Sequence, residues 1–550
     1  MKRNILSLAV LFICGTMFAQ EDTRNAVVSV ENDYNPTVVT VTKKSFTPTV
    51  EAKSNAKPEE LVFSKQATPF TGFISERDAK ELLPTQERAL PGYVRLEYGL
   101  RNDIDAKLAY NLNFGSKSYL RLLGAFDGFK CDVNGIYNDW NSRMYNTAAL
   151  LDFGYKFKKL AFNIDGDFNN RVFNYQKANN INGSSNWQHH MNYNIGMSGV
   201  SLLAGPFAYT FNAEYTHSVI NYASGREEPI TEEHINAGTV LSREIYKKYL
   251  RRVGIEIDFN GFIYNSTLRR STHGYSNYLA MDFNPFTDFN FNDWEITFGA
   301  NFNFHTGNGA IFAAAPNITV DKSLTKRISF YAHVTGGREE NSFRKIESIT
   351  PYWGYNRVKS EQIKPTYKIV DIVAGTRMTI EPFSFDIFAG YVLTNNDLLQ
   401  TITVLDNVPT YLFYSNFAQE YTNNVFAGTR IGYDYGGWLN IEADAKYDYW
   451  TCKDRDLLMM RPEITANAKV ELRPIKDLTV KIGYNYTRYT KMYGDRISDK
   501  HDLHARVSYS INKHFGAFIQ GDNLLNDKYF EYAGYYTRGI RGMLGVTANF

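Results

Sequence analysis

A residue pattern of period two, strand-like segments of about nine to twelve residues and the lack of any long apolar run together predict an all-β fold. The expected architecture is a transmembrane antiparallel β-barrel of about 22 strands, with about 16 as the lower bound. Val253, Ile255, Ile257 and Phe259 alternate with Gly254, Glu256, Asp258 and Asn260, so a strand here has one apolar and one polar face. Leu439 to Tyr449 and Leu478 to Thr487 repeat the pattern. A tilted strand of roughly 9 to 11 residues crosses the hydrocarbon of a bilayer, whereas strands of soluble sheets run about five or six. Strands in lipid must close on themselves, because an open edge leaves a column of unpaired N–H and C=O groups.

Composition agrees with a folded, aromatic-rich chain. Of 550 residues, 39 are Tyr and 38 are Phe, while 16 Pro and 39 Gly are too few for a collagenous or disordered protein. The first 19 residues read as a signal peptide: Lys2 and Arg3 precede an apolar run from Ile5 to Phe18, and Ala19 offers a small residue for cleavage. Without Lys2 and Arg3 the 60 basic groups become 58, against 58 acidic ones, a balance that disfavours nucleic acid as a partner. Cys131 and Cys452 are too far apart in sequence for the usual disulfide or zinc frameworks, and no cofactor or metal is expected. The resulting organisation is a signal peptide (1–19), a periplasmic extension (20–92) and a barrel (93–550). One short helical stretch is expected near Ser75 to Arg88, interrupted by Pro84.

The strand count comes from turns. Short polar breaks fall at Gly115–Ser116, Phe157–Lys159, Ala204–Pro206, Lys247–Lys248, Asn290–Asn292, Lys326–Arg327, Glu381–Pro382, Gly436–Gly437, Pro474–Lys476 and Asn512–Lys513. Ten turns join twenty strands, and a first strand from Tyr93 with a last one ending at Phe550 completes an even number. The opposite connections are longer: Ser224 to His234, Gly336 to Pro365, Leu398 to Asn424 and Thr451 to Arg461. Short periplasmic turns and long external loops are the expected asymmetry. Trp294, Trp438, Trp450, Tyr447 and Tyr449 suit an aromatic belt, although aromatics favour any strand. In the last strand Leu544, Val546 and Phe550 share the face expected to meet lipid and close the barrel.

The stretch Gln520-Gly521-Asp522-Asn523-Leu524-Leu525-Asn526-Asp527-Lys528-Tyr529, followed by Tyr535 to Gly542 and the terminal strand, resembles the carboxyl end of the TonB-dependent receptor family. The resemblance is specific over about 35 residues and implies a barrel of about 22 strands in an outer membrane and energised uptake of large solutes. The chain departs from the family in its amino-terminal segment, since Gln20 to Gly92 is too short for the usual plug. Within it, Thr37, Val38, Val39, Thr40 and Val41 resemble the extended box that pairs with a periplasmic energy-coupling protein, the other reading being a plain tether. A lumen without the usual plug is expected to be blocked by folded-in loops, by the amino-terminal segment or by a partner.

Enzymatic readings find no support. His189 and His190 are adjacent and point to opposite strand faces, while the acidic run Glu227, Glu228, Glu232 and Glu233 with His234, and the group Asp454 to Asp456, read as solvated loops. No phosphate-binding loop, dinucleotide fingerprint or H-E-x-x-H helix is present. Charged residues such as Asp165, Asp167, Glu256, Asp258, Glu442, Asp444, Lys446 and Lys481 fall on the lumen side, a lining for polar solutes or a polar filling. Two functions follow. One is uptake of a polar solute, a peptide or glycan, captured by loops carrying Tyr352, Trp353, Tyr355, Tyr411, Phe413 and Tyr414, with a surface lipoprotein as a candidate partner. The other is a non-transporting barrel that anchors an envelope complex.

Overall fold

The structure, a computed structural model, describes residues 90–550 except 134–138, 177–186, 203–205, 223–228, 246, 266–274, 354–361, 405–412 and 491–496. The signal peptide, the 75–88 helix and the 37–41 segment therefore lie outside the described residues, as do Glu227, Glu228, Tyr355 and Tyr411.

The first strands are β1 (Gly92–Gly99), β2 (Ile104–Asn113), β3 (Ser118–Val133), β4 (Trp140–Lys156), β5 (Leu160–Asn174), β6 (Trp187–Ser201), β7 (Phe207–Tyr222) and β8 (Ile230–Glu244). Next come β9 (Leu250–Tyr264), β10 (Tyr278–Phe291), β11 (Trp294–Thr306), β12 (Phe312–Thr325), β13 (Ile328–Glu339), β14 (Thr366–Ile380), β15 (Phe383–Val404) and β16 (Phe413–Tyr435). The rest are β17 (Leu439–Cys452), β18 (Pro462–Ile475), β19 (Leu478–Tyr489), β20 (Lys500–Ser510), β21 (Phe515–Asp522), the short hairpin β22 (Phe530–Tyr532) and β23 (Tyr535–Tyr536), and β24 (Arg541–Asn549). All but the hairpin form one 22-stranded sheet. Each strand pairs antiparallel with its neighbours, and β1 pairs with both β2 and β24, so the sheet closes. The count of 22 stands.

Strand ends flank each of the ten breaks in pattern, with two of the turns shifted. Phe291 pairs with Trp294, so the turn is Asn292–Asp293, two residues of positive φ whose twist matches the flanking strands. Ile475 likewise pairs with Leu478, leaving Lys476 and Asp477 as the turn. On the opposite rim the sequence reading is corrected twice. Val404 pairs with Phe413, so most of the expected Leu398–Asn424 loop is the outer part of β15 and β16. There the two strands satisfy each other's backbone beyond the bilayer, where a lipid-facing apolar stripe is no longer required. Glu232, Glu233 and His234 lie within β8, not in a loop.

The alternation sorts side chains as membrane insertion requires. Leu151, Ile164, Ile195 and Ile387 are exposed on the outer wall, while their chain neighbours Asp152, Asp165, Asn194 and Asp386 are buried on the inner one. Leaving a large aliphatic side chain in water forgoes about 1.5–3 kcal/mol, so a continuous outer band of them marks the lipid face. Tyr447 and Tyr449 are exposed on that face, and Trp438 is exposed in the turn before β17. Trp450 is not part of the belt: it follows the inward parity of buried Asp448, its indole N–H donates to the Pro462 carbonyl at 2.8 Å and Arg461 lies over its ring. Inner polar groups pair across strands, as in Arg121 with Asp152 at 3.4 Å and Asn194 donating to Asp167 at 2.8 Å.

At the seam, Val546 lies opposite Leu96 and Leu544 opposite Tyr98. Gly92 N–H donates to the Phe550 carbonyl at 2.8 Å and Phe550 N–H returns a bond at 3.0 Å. A Cβ at Gly92 would stand 2.3 Å from the Phe550 ring, so a larger residue there would push that ring aside.

Candidate functional site: a loop folded into the outer mouth

A barrel of 22 strands is too wide for wall side chains to fill. Among the described residues, the connection between β13 and β14 enters that space. It begins with helix α1 (Phe343–Ile349), which the sequence reading took as loop. Its start was legible in retrospect: Ser342 caps the helix, its hydroxyl accepting from Lys345 N–H at 3.2 Å, and Phe343, Ile346 and Ile349 recur at a spacing of three.

The helix docks on the inner faces of β5 to β8. Arg344 donates to Asp167 at 2.9 Å and approaches Glu214 at 3.6 Å. Glu347 enters a pocket on the same wall, where Asn192 donates to its carboxylate at 2.8 Å and Arg171 and His190 lie 3.6 and 3.4 Å away. The backbone N–H of Phe343 donates to buried Glu232 at 2.8 Å. The apolar side of the helix, Phe343 and Ile346, joins Trp353, Ile220, Ile230 and Phe262 in one buried cluster.

Beyond the helix, Tyr352 and Trp353 continue across the mouth. Tyr352 stacks on Tyr535 of the β22–β23 hairpin with ring centroids 3.6 Å apart and planes at 9°, and meets Trp140 and Phe173 edge-on. Tyr175 O–H donates to the Trp353 carbonyl at 2.8 Å, and Ser415 N–H donates to the Tyr352 carbonyl at 3.0 Å, next to a single parallel bridge between Trp353 and Ser415. The loop's return is tied at its base by Gln419, whose side chain accepts from Lys364 N–H at 2.7 Å and donates to the Lys364 carbonyl at 2.6 Å. One loop thus spans from its own strands to the β4–β8 wall and to the last outer connection.

Several expected site residues therefore sit differently from the sequence reading. Tyr352 and Trp353 are buried in this closed arrangement and do not present open stacking faces. Phe413 and Tyr414 open β16, paired with Val404 and Thr403, and do not belong to a loop. Arg171, which the sequence reading did not name, and His190, which it weighed only as one of an adjacent pair on opposite strand faces, are part of the docking surface. No local signal marks them, since their partner Glu347 lies more than 150 residues along the chain. Among the described residues no group of three or more His, Cys, Asp or Glu is placed to hold a metal ion.

Neither a protein-family profile nor a curated protein matches the chain. Solved structures do. A mutant of the ferric enterobactin receptor PfeA from Pseudomonas aeruginosa, in complex with enterobactin, superposes with a TM-score of 0.62 at 11% identity, covering 84% of this chain and 81% of that one. The siderophore receptor PirA from Acinetobacter baumannii gives 0.61 at 10%, with 84% and 80% covered, and the copper transporter OprC gives 0.59 at 10% over the same shares. The chain has the barrel fold of the TonB-dependent receptors.

In this TonB-dependent-receptor-type barrel the electrostatics of the docked loop centre on Glu347. Burial disfavours its carboxylate, but the contacts of His190, Arg171 and Asn192 outweigh burial and hold the carboxyl at about 2. A carboxyl held below its ordinary value of 4.5 contributes to docking above that value and loses the contribution as pH falls towards about 2. Protection of the loop from an acid-active protease should therefore decline below pH 4.5, and Glu347→Gln should flatten that decline. Glu340, at the loop's base, is pushed the other way by burial and works in the opposite direction, so the Gln variant isolates the Glu347 part. Undiminished protection of the wild type down to the lowest pH at which the barrel stays intact would contradict it.

The Tyr352–Tyr535 stack gives a second prediction. Aromatic pairs contribute about 0.5–1.5 kcal/mol beyond area burial, so Tyr535→Ala should raise trypsin cleavage at Arg344 and Lys345 up to about tenfold in intact barrels. Cleavage at the wild-type rate would mean that the stack does not hold the loop.

Proposed function

We propose that this barrel is an outer-membrane uptake receptor, closed at rest by its own loop, which yields to a polar solute arriving at the cell surface. The observation that carries the reading is the nature of the closure. On a wide lumen with a polar wall, the described part of the β13–β14 connection is docked against the inner face through charge pairs and hydrogen bonds that an incoming ligand can replace. The fold shared with solved receptors and a transporter supports the same direction. In this reading a peptide or glycan is the solute, Tyr352 and Trp353 become available to it when the loop leaves, and a surface lipoprotein can deliver it. In this reading the residues ahead of β1, 20–91, lie in the periplasm, and Thr37 to Val41 are the segment that pairs with an energy-coupling protein.

The test combines planar-bilayer recordings with copurification. Wild-type protein should be nearly silent, loop release should produce large currents, and a peptide spanning Glu31 to Lys44 should retain the periplasmic energy-coupling protein. A barrel that stays silent after loop release and copurifies in fixed proportion with an envelope partner would replace uptake with the anchoring function.

A further inference from the structure

We propose that the inner wall from β5 to β8, with the aromatic pocket beside it, is a peptide-binding site that residues 343–353 occupy in cis. In trans it takes a peptide carrying a basic side chain, an acidic one three residues later and an aromatic ring beyond them. This deepens the uptake reading, on which it rests for the source of the ligand.

The contacts select a peptide over a glycan. Two side chains of the loop, Arg344 and Glu347, are read by opposite charges set four positions apart on one face of β5, Asp167 and Arg171. Three further contacts read main chain: Glu232 accepts the N–H of Phe343, Tyr175 donates to the carbonyl of Trp353, and Ser415 donates to that of Tyr352. A glycan offers no basic–acidic pair fixed at the spacing of one helical turn, nor successive main-chain amides in register with it. The ring of Tyr352 fills a slot made by Tyr535, Trp140 and Phe173, which fits an aromatic side chain. Beside its apolar cluster the segment also buries ion pairs, which add little stability compared with apolar packing of the same volume. Retaining buried Asp167, Arg171 and Glu347 makes the wall selective, and selectivity at the lumen wall matters for a ligand.

The full chain in detergent provides the test, with a fluorescent peptide of the sequence from Ser342 to Trp353 and a control in which its Arg and Glu are exchanged. The Arg344→Ala, Glu347→Ala double variant, which frees the wall, should bind the first peptide at least about tenfold more tightly than wild type does, and the control at least about tenfold more weakly than the first. Adding Asp167→Arg and Arg171→Asp should reverse the preference between the two peptides. Should the double variant fail to show native heat-modified migration, wild type suffices: excess of the first peptide, and not of the control, should speed trypsin cleavage of the displaced loop. Equal binding of both peptides by a natively migrating variant overturns the proposal, as does unchanged cleavage of the wild type. Either result leaves the bilayer currents of the uptake reading untouched, so the two claims fail separately.

Discussion

Glu347→Arg is expected to open the barrel at its outer end. The carboxylate is buried against Arg171, His190 and Asn192, and a guanidinium in its place faces another guanidinium at a buried position. Breaking a buried pair in this way costs about 3–5 kcal/mol, which is larger than the contribution of the Tyr352–Tyr535 stack and of the base tethers taken singly. The loop should leave the lumen, single-channel currents should rise from near zero to those of a wide pore, and trypsin should cut at Lys345. Restoring the pair in reverse with Arg171→Glu should close the channel again. A Glu347→Arg barrel that remains silent and protease-resistant would show that the mouth is sealed by something other than this loop.

The second large effect concerns the seam. Leu544 and Val546 are 65% and 55% exposed on the outer face of β24, the strand that pairs with both β21 and β1. An Arg on the lipid face costs roughly 2–4 kcal/mol near the bilayer midplane. The double variant Leu544→Arg, Val546→Arg should therefore lose several kcal/mol where the sheet must join its ends, lowering the temperature at which the heat-modified gel shift occurs and the urea midpoint in vesicles. Unchanged values would mean that this face of β24 does not meet hydrocarbon, and the membrane assignment of the seam would fall with it.

Much of this architecture was legible from the chain because its causes are local. A period of two reports which side of a strand is wet, and a turn such as Asn292–Asp293 is visible as a break in that period. The misreadings have physical causes too. Above the bilayer the outer face no longer needs to be apolar, so the outer parts of β15 and β16 lose the alternation that identified the rest and read as loop. Trp450 was assigned to the belt by residue type, although the parity of Asp448 already placed it inside.

The sequence by itself determined a closed sheet of about 22 strands with a lipid-facing exterior, a charged interior and a seam between its first and last strands, because alternation and turns are set by neighbouring residues. Only the tertiary structure decided what stands in the mouth. Arg344, Glu347 and Tyr352 read as a polar, aromatic surface loop, and their partners Asp167, Asn192 and Tyr535 lie between 155 and 183 residues away. Complementary charges at that separation leave no periodic trace in the chain. They become a binding surface only when closure of the barrel carries β5 to β8 within reach of the loop between β13 and β14.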